Sequence, residues 1–279
     1  MASKQKGDLS VTALYTSGTW RWGKLPDSEL FESSEATLVF RVVNLALTFM
    51  RLFRWSLRSL RHALIHRHTM IDHLLTQARP EQVLELACGL SRRGASFSSN
   101  PSLQYTEVDL PAMLAHKKQL LERSEKGREI LARDNLVLHA ADISEAEFTE
   151  WVSPKCPLFV IAEGLLMYLK PDEQRRLFEK VAALCALAGK GSFVFDWVPA
   201  SEQPKPGPVG RMLEWLMKRF TGGQAFERDE RSRDDLRLTL EECGFAVQLY
   251  EPEKVAEQWK LPYPKVKTQQ LLYVCEIGY

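Results

Sequence analysis

Long apolar runs are missing from this sequence. The best candidate, Leu38 to Phe53, is broken by Arg41, Asn44 and Arg51, and a membrane span needs roughly 18–20 uninterrupted apolar residues. Cysteine is scarce as well. Cys88, Cys156, Cys185, Cys243 and Cys275 form no Cys-x-x-Cys pair and gather with no histidines at metal-ligand spacing. No metal site is therefore expected, and an odd handful of thiols in mostly apolar contexts reads as free cysteine in a reducing compartment. Net charge is almost absent, with 37 Lys+Arg against 36 Asp+Glu. That balance excludes the basic footprint of a general nucleic-acid binder, and it leaves no long acidic tail. Behind the charged opening Met1–Asp8 there is no apolar stretch to make a secretory signal, so a cytoplasmic protein is the default expectation.

What is present is material for a core: 45% of 279 residues are apolar, enough for one large domain or two small ones. Short apolar runs at 82–87, 103–108, 136–140, 157–162 and 191–195 alternate with helical periodicity, clearest over Leu110–Leu121 and Asp172–Leu187. In the second helix Leu177, Val181, Leu184 and Leu187 share a face. Strands and helices alternating at this pitch predict an α/β fold, a doubly wound parallel sheet covered on both sides. Later, Arg233–Cys243 reads as a helix stopped by Gly244, residues 245–250 as a strand, and 270–276 as a last strand. A helix, a strand and a returning strand complete a seven-stranded sheet with one antiparallel member. The proline-rich stretch Pro199–Pro208 is a loop.

Residues 1–80 read as a helical cap belonging to the same domain as the core over 81–279, with helices near Val11–Trp20, Glu35–Leu60 and His62–Ala78. Between Glu35 and Asp72 there is no acid, while Arg41, Arg51, Arg54, Arg58, Arg61 and Arg67 all occur. A solvated basic face, a cap over an anionic ligand and a helix lying on a membrane surface all fit that run.

The chemistry concentrates at four strand ends. Val83-Leu-Glu85-Leu-Ala-Cys-Gly89-Leu90 runs an apolar strand into small residues and one glycine, with a helix expected after Arg92. Such a turn lets a ligand approach the backbone, although a plain tight connection uses the same letters. Asp109 lies 20 residues beyond Gly89 at the end of the next strand, where doubly wound folds place an acid for ribose hydroxyls. It also fits as a cap for the helix from Pro111. Asp142 and Ile143 follow the third strand, suited to an adenine edge or to capping a helix near Ser144. Glu163 ends the fourth strand, across the topological switch point from Gly89. One crevice ringed by all four is far more specific than any member.

In their order, Glu85-Leu-Ala-Cys-Gly-Leu, Thr106-Glu-Val-Asp-Leu-Pro111, Ala141-Asp142 and Ala162-Glu-Gly-Leu-Leu-Met-Tyr-Leu169 resemble the leucine carboxyl methyltransferase family. The similarity runs from about Arg67 to Leu187. The opening Leu9–Tyr15 and Trp20 look like the family's bacterial branch, which includes carboxyl O-methyltransferases of polyketide biosynthesis. The resemblance implies a Rossmann-like fold and S-adenosylmethionine as cofactor, leaving as S-adenosylhomocysteine. It assigns Arg67 to the cofactor carboxylate, Gly89 to backbone contact with the methionine moiety and Asp109, with Leu110 beside it, to the ribose. Glu85 joins this cofactor-binding set, Asp142 and Ile143 hold adenine, and Glu163 lies by the methionine amino group. Ser91 stands where the family often has Asp, while Arg93 fits the pattern.

An ionised carboxylate acceptor needs no general base, and no His/Asp catalytic pair is evident. The expected reaction is therefore in-line methyl transfer to the carboxylate of a small acid or a peptide terminus, with no single catalytic residue assigned. Tyr15, Trp20, Trp22 and Arg41 in the cap, and Tyr168, Asp196, Trp197 and Arg211 above the sheet, are the candidate substrate contacts. A hydrolase is disfavoured because Arg93 breaks the nucleophile elbow. A nicotinamide dehydrogenase would need the missing glycines. A cofactor-binding scaffold without turnover stays open, as does the oligomeric state.

Overall fold

The computed structural model describes residues 11–52, 59–202, 229–268 and 270–277, with residues 49–52 described in backbone only. Seven strands form one sheet in the order β3-β2-β1-β4-β5-β7-β6. They are β1 (Gln82–Leu86), β2 (Gln104–Asp109), β3 (Leu136–Ala140), β4 (Leu158–Ala162), β5 (Gly191–Asp196), β6 (Phe245–Tyr250) and β7 (Leu272–Ile277). β1 pairs in parallel with both β2 and β4, so the winding reverses between β1 and β4. β7 is antiparallel to both β5 and β6. The expected single reversed strand is there, inserted between its neighbours.

The central strands β1 and β4 are buried along their whole length, as near-continuous apolar runs in a parallel sheet should be. On one side, Leu84, Leu86, Val160, Phe193 and Phe195 meet α7 (Pro171–Ala188) through Leu177, Phe178, Val181 and Leu184. The periodicity fixed that face correctly except at its end. Leu187 is 39% exposed, and Cys185 and Ala188 continue the buried stripe instead. On the other side, Val83, Tyr105, Phe159 and Ile161 meet Met70, Ile71, Leu74 and Leu75 of α3 (Leu60–Ala78). The last of the predicted cap helices is thus a full layer of the sheet.

Ahead of α3 come α1 (Val11–Trp22) and α2 (Ser34–Leu52). The continuous helix expected over 35–60 is two elements, α2 and the start of α3, with residues 53–58 outside the described residues. After β1 comes α4 (Arg93–Phe97), and after β2 the pair α5 (Pro111–Glu122) and α6 (Glu125–Leu131). α6 was not anticipated; Ser124 caps it by accepting the Gly127 N–H. The later helices are α8 (Arg233–Glu242) and α9 (Pro252–Val255). No helix forms near Ser144. The Asp142 carboxylate accepts both the N–H and the hydroxyl of Ser144, a local turn that competes with helix formation. All five cysteines are free, and no group of metal-ligating side chains occurs among the described residues.

Candidate functional site

Parallel strands all point their carboxyl ends at one edge of the sheet, so the residues following them form a row. Along β3-β2-β1-β4-β5 that row reads Asp142, Asp109, Gly89, Glu163 and Asp196. The four predicted strand ends are therefore neighbours, and Asp196 extends them by one strand.

The β1 end turns sharply. Ala87 and Gly89 have φ of 49° and 51°, left-handed values that are unusual for alanine. The turn is held by its neighbour: Asp109 Oδ2 accepts the Gly89 N–H at 2.7 Å and Oδ1 accepts the Leu110 N–H at 2.7 Å. Cys88 N donates to the Val108 carbonyl, and Ala141 N to the Asp109 carbonyl, which joins the ends of β1, β2 and β3. Burial raises the Asp109 pKa, although these two N–H bonds oppose it. Each carboxylate oxygen keeps a further lone pair for a hydroxyl donor. Asp109 is thus a fastener for the loop and an acceptor at once. Asp142 and Ile143 are half-buried at the far end of the row.

Across the switch point sits a buried charge network. Arg67 of α3 donates Nε to Glu163 Oε1 at 2.8 Å and Nη1 to Asp196 Oδ2 at 2.9 Å. Asp196 Oδ1 accepts the Gly164 N–H at 2.6 Å. Gly164 has φ +69°, and a Cβ there would meet the Arg67 guanidinium at 3.3 Å, so glycine suits both the backbone and the contact. Arg93 bonds Glu163 Oε2 at 2.6 Å, Glu85 Oε1 at 2.9 Å and Asp72 Oδ1 at 2.8 Å. Burial acts against the Glu163 charge, but Arg93, His68 and Arg67 outweigh it and hold the carboxyl well below its usual range. Burial opposes Arg67 in the same way, and Asp196 and Glu163 keep it charged.

Glu85 lies inside this network. Its second oxygen accepts the Tyr105 hydroxyl at 2.7 Å and the residue is 1% exposed. The structure gives it Arg93 to hold, below the crevice floor, in place of the ligand contact expected from the sequence. His68 was not foreseen. Its Nδ1 lies 2.9 Å from Glu163 Oε2 and its ring stacks on Trp20 at 4.1 Å. A buried His/acid pair thus exists that the sequence reading did not single out. Burial, followed by Arg93, pushes the His68 pKa well down, so the ring is neutral and donates from Nδ1. Its Nε2 is buried without a hydrogen-bond partner among the described residues. Sealed under Trp20, it is out of reach of a substrate. Nothing in the spacing of His68 singles it out; only the adjacent Arg67 could have drawn attention to it.

The cap candidates divide. α1 covers the crevice: Ala13 lies 3.6 Å from where a Gly89 Cβ would be, and Thr12 Oγ1 is 3.0 Å from the Tyr168 hydroxyl. Tyr15 is buried on Phe40, and Trp20 is buried on His68, so both are packing groups. Arg41 is exposed on the outer side of α2, in an open groove of about 520 Å³ shared with Leu38 and Arg123. No strand-end residue lines that groove. Trp197 is buried and donates Nε1 to Asp229 at 3.2 Å. Asp196 holds Arg67 and Gly164 as described. Tyr168 is half-buried after the β4 end, with its hydroxyl beside Thr12 of α1. Arg211 lies outside the described residues.

Residues 29–182 match the family model for leucine carboxyl methyltransferase, more than half of the chain. The chain belongs to that family. Curated relatives provisionally named S-adenosyl-L-methionine-dependent methyltransferases include one from Parafrankia, 34% identical over 121 residues, which is 41% of this chain and 38% of the relative. Another, from Mycobacterium tuberculosis, is 31% identical over 138 residues, 46% of this chain and 38% of the relative. The matched stretch thus spans under half the length of these relatives. Among solved structures, a provisionally assigned methyltransferase from Thermobifida fusca aligns over 99% of this chain and 97% of its own, with TM-score 0.62 and 14% identity. A provisionally assigned O-methyltransferase from Nostoc punctiforme aligns over 77% and 60%, with TM-score 0.52 and 16% identity. At such identity these two establish the fold.

S-adenosylmethionine is the cofactor against which the family's crevice is measured. The site fits it. Gly89 and Gly164 themselves carry no side chain on either side of the switch point, and Ala13 of α1 and the Arg67 guanidinium stand over them. Asp109 has acceptor capacity for a ribose, while Arg67 and Glu163 set a cation and an anion side by side for a zwitterionic amino acid.

Proposed function

We propose that this protein is an S-adenosylmethionine-dependent O-methyltransferase that methylates the carboxylate of a small, polyketide-like acid. The observation that carries the reading is the row Asp142, Asp109, Gly89, Glu163 and Asp196 along five adjacent strand ends, roofed by α1. Asp142 and Ile143 would hold adenine, Asp109 the ribose, Gly89 the methionine backbone, and Arg67 with Glu163 the carboxylate and amino groups.

When bound, the cofactor supplies an electrophilic methyl group on a positively charged sulfur. The protein's own part is positional. Rigid alignment of acceptor and donor accounts for about 7–11 kcal/mol of a barrier, and a network as tightly cross-bonded as Arg67–Glu163–Arg93–Glu85 suits that role. α1 excludes water at Gly89 through Ala13, and its Thr12 lies beside the Tyr168 hydroxyl. A carboxylate acceptor is already ionised at neutral pH. That agrees with a crevice whose nearby imidazole, His68, is neutral and sealed from solvent. A phenol would need a reachable base.

Incubation with methyl-labelled cofactor, against a panel of small carboxylic acids and of peptides with free carboxyl termini, tests the reading. Label should pass to a small acid and be released as methanol by mild alkali. Alkali-stable label would overturn the carboxylate assignment, transfer only to peptides would move the acceptor to a protein terminus, and cofactor binding without transfer to any acceptor would leave a scaffold.

A further inference from the structure

α5 turns Met113, Leu114, Lys117, Leu120 and Leu121 to the interior, a helical stripe with a lysine at its centre. Lys117 is 1% exposed, as is Glu107 of β2, whose Oε2 accepts from Nζ at 2.6 Å. A buried ion pair is a weak source of stability. Desolvation offsets the attraction, and apolar side chains of similar size often serve as well. The position of this pair gives another reason for it. Nζ also donates to Cys88 Sγ at 3.8 Å, and the thiol donates to the Gly89 carbonyl at 3.7 Å. Burial holds the Cys88 pKa well up, so the thiol keeps the proton that it donates. The ammonium thus sits against the β1 turn. Glu107 stands two residues before Asp109, on the same side of the sheet, and in register with Glu85 of β1. Its Oε1 accepts the Gly94 N–H at 3.2 Å, and a Cβ at Gly94 would collide with that carboxylate.

We propose that Lys117 is a positioning residue for the cofactor: its ammonium fastens the Cys88–Gly89 turn to β2 and supplies the positive charge that keeps Asp109 ionised for the ribose hydroxyls. The inference rests on the assignment of Asp109 to the ribose. The charged groups about Asp109 are Glu85 on β1, Glu107 on its own strand, Asp142 one strand away and Lys117 on α5. Arg93 is taken up by Glu85, Asp72 and Glu163. Burial raises the Asp109 pKa; the Gly89 and Leu110 N–H groups and then Lys117 draw it down, and Glu85 raises it. Lys117 itself stays charged. Burial opposes its charge, and Cys88, Glu107 and Glu85 outweigh that. Burial pushes the Glu107 carboxyl up to about 7 in spite of Lys117, so without the lysine it would be protonated at neutral pH. Removing Lys117 therefore takes a cation from below Asp109 and leaves no anion in exchange.

The test follows the Asp109 carboxyl by NMR titration of the cofactor-free chain, and S-adenosylmethionine affinity by calorimetry, from about pH 8 down to about pH 4. Lys117→Met should raise the Asp109 midpoint by about one unit, and so lower affinity roughly tenfold at the acidic end of the range. Arg67, Glu163 and His68, at the other end of the crevice, are common to every variant. Adding Glu107→Gln to Lys117→Met leaves no unpaired group. That double variant should recover most of the wild-type denaturant midpoint while its Asp109 midpoint stays raised. Glu107→Gln alone keeps the cation, so its Asp109 midpoint should lie at or below the wild-type value. A purely structural pair would give one Asp109 midpoint throughout, with affinity following stability. An unshifted Asp109 midpoint in the double variant, or a raised one in Glu107→Gln alone, would overturn the inference while wild-type binding left the cofactor reading standing. Wild type that bound no cofactor at any pH would overturn the ribose assignment and the inference together.

Discussion

At the scale of single residues, Asp109 and Glu163 do different work although both read as strand-end acids. Asp109 closes the Gly89 turn with two backbone N–H bonds and retains acceptor capacity. Asp109→Asn keeps one carbonyl acceptor and loses the charge. Hydrogen bonds to a charged group contribute about 1.5–3 kcal/mol, so S-adenosylmethionine affinity in a calorimetric titration should fall by roughly ten- to a hundredfold. Equal affinity would remove Asp109 from the site. Glu163 balances two guanidiniums in a buried setting. Glu163→Gln leaves those charges under-compensated, and breaking such a pair costs about 3–5 kcal/mol, visible as a large drop in the denaturant midpoint with or without cofactor. The sequence marked both acids by position. It could not show that Glu85, two residues before Ala87, belongs to Arg93 and Tyr105, because burial inside a network leaves no trace in spacing.

His68 adds a pH dependence with a definite sign. Burial and Arg93 keep it neutral in the folded protein, whereas the unfolded chain takes up that proton near pH ~6.5. As pH falls, protons bind the unfolded state first, so stability is complete above about pH 6.5 and declines below it. Glu163 continues the decline lower down, since its folded carboxyl stays ionised well below the point at which the unfolded carboxyl protonates. His66, also shifted down by burial, contributes to both wild type and variant. His68→Phe keeps an aromatic ring against Trp20 and removes one proton from the balance. Urea unfolding between about pH 7 and pH 5.5 should then show a shallower slope than wild type; parallel slopes would mean that His68 is charged in the folded state.

At the scale of elements, legibility followed how much of an element is decided locally. β3 and β6 were bounded correctly by their apolar runs, and α7 was placed within a residue at either end because Lys170-Pro171 opens it and Gly189, with φ +75°, closes it. The failures lie where side chains compete with the backbone or where tertiary contact decides. Asp142 converts an expected helix into a turn, and a capping serine at 124 starts an additional helix. Tyr15 and Trp20 read as open aromatics because the amphipathic pattern of α1 says nothing of what covers it. Trp20 is 3% exposed and joins α1 to α3 through His68. Trp20→Ala should therefore cost about 3–5 kcal/mol and release α1 from the crevice. Hydrogen exchange should rise in α1 and in the loop at Gly89 while β1 and β4 stay protected. Uniform loss of protection would show that the cap and the sheet unfold as a single unit.

At the scale of the whole molecule, the crevice lies between two packed bodies of structure. One is the sheet with its row of strand ends; the other is α1, which reaches the row at Gly89 and Tyr168. A ligand seated there touches both and is bound by the folded chain alone. Linkage then requires stabilisation that grows with ligand concentration, about 2.7 kcal/mol at a hundred times the dissociation constant. For a chain of this size each kcal/mol moves the melting temperature by about 2–4 °C, so saturating S-adenosylmethionine should raise it by roughly 5–10 °C. S-adenosylhomocysteine shares the adenosine and amino-acid ends and should act similarly. NAD should not, because the turn at Gly89 lacks the further glycines that let a pyrophosphate approach the backbone. The same ranking should fail in Asp109→Asn, where the shift shrinks by the lost affinity. A shift produced by NAD, or none with either sulfur nucleoside, would mean that the five strand ends do not form one adenosyl-amino-acid site.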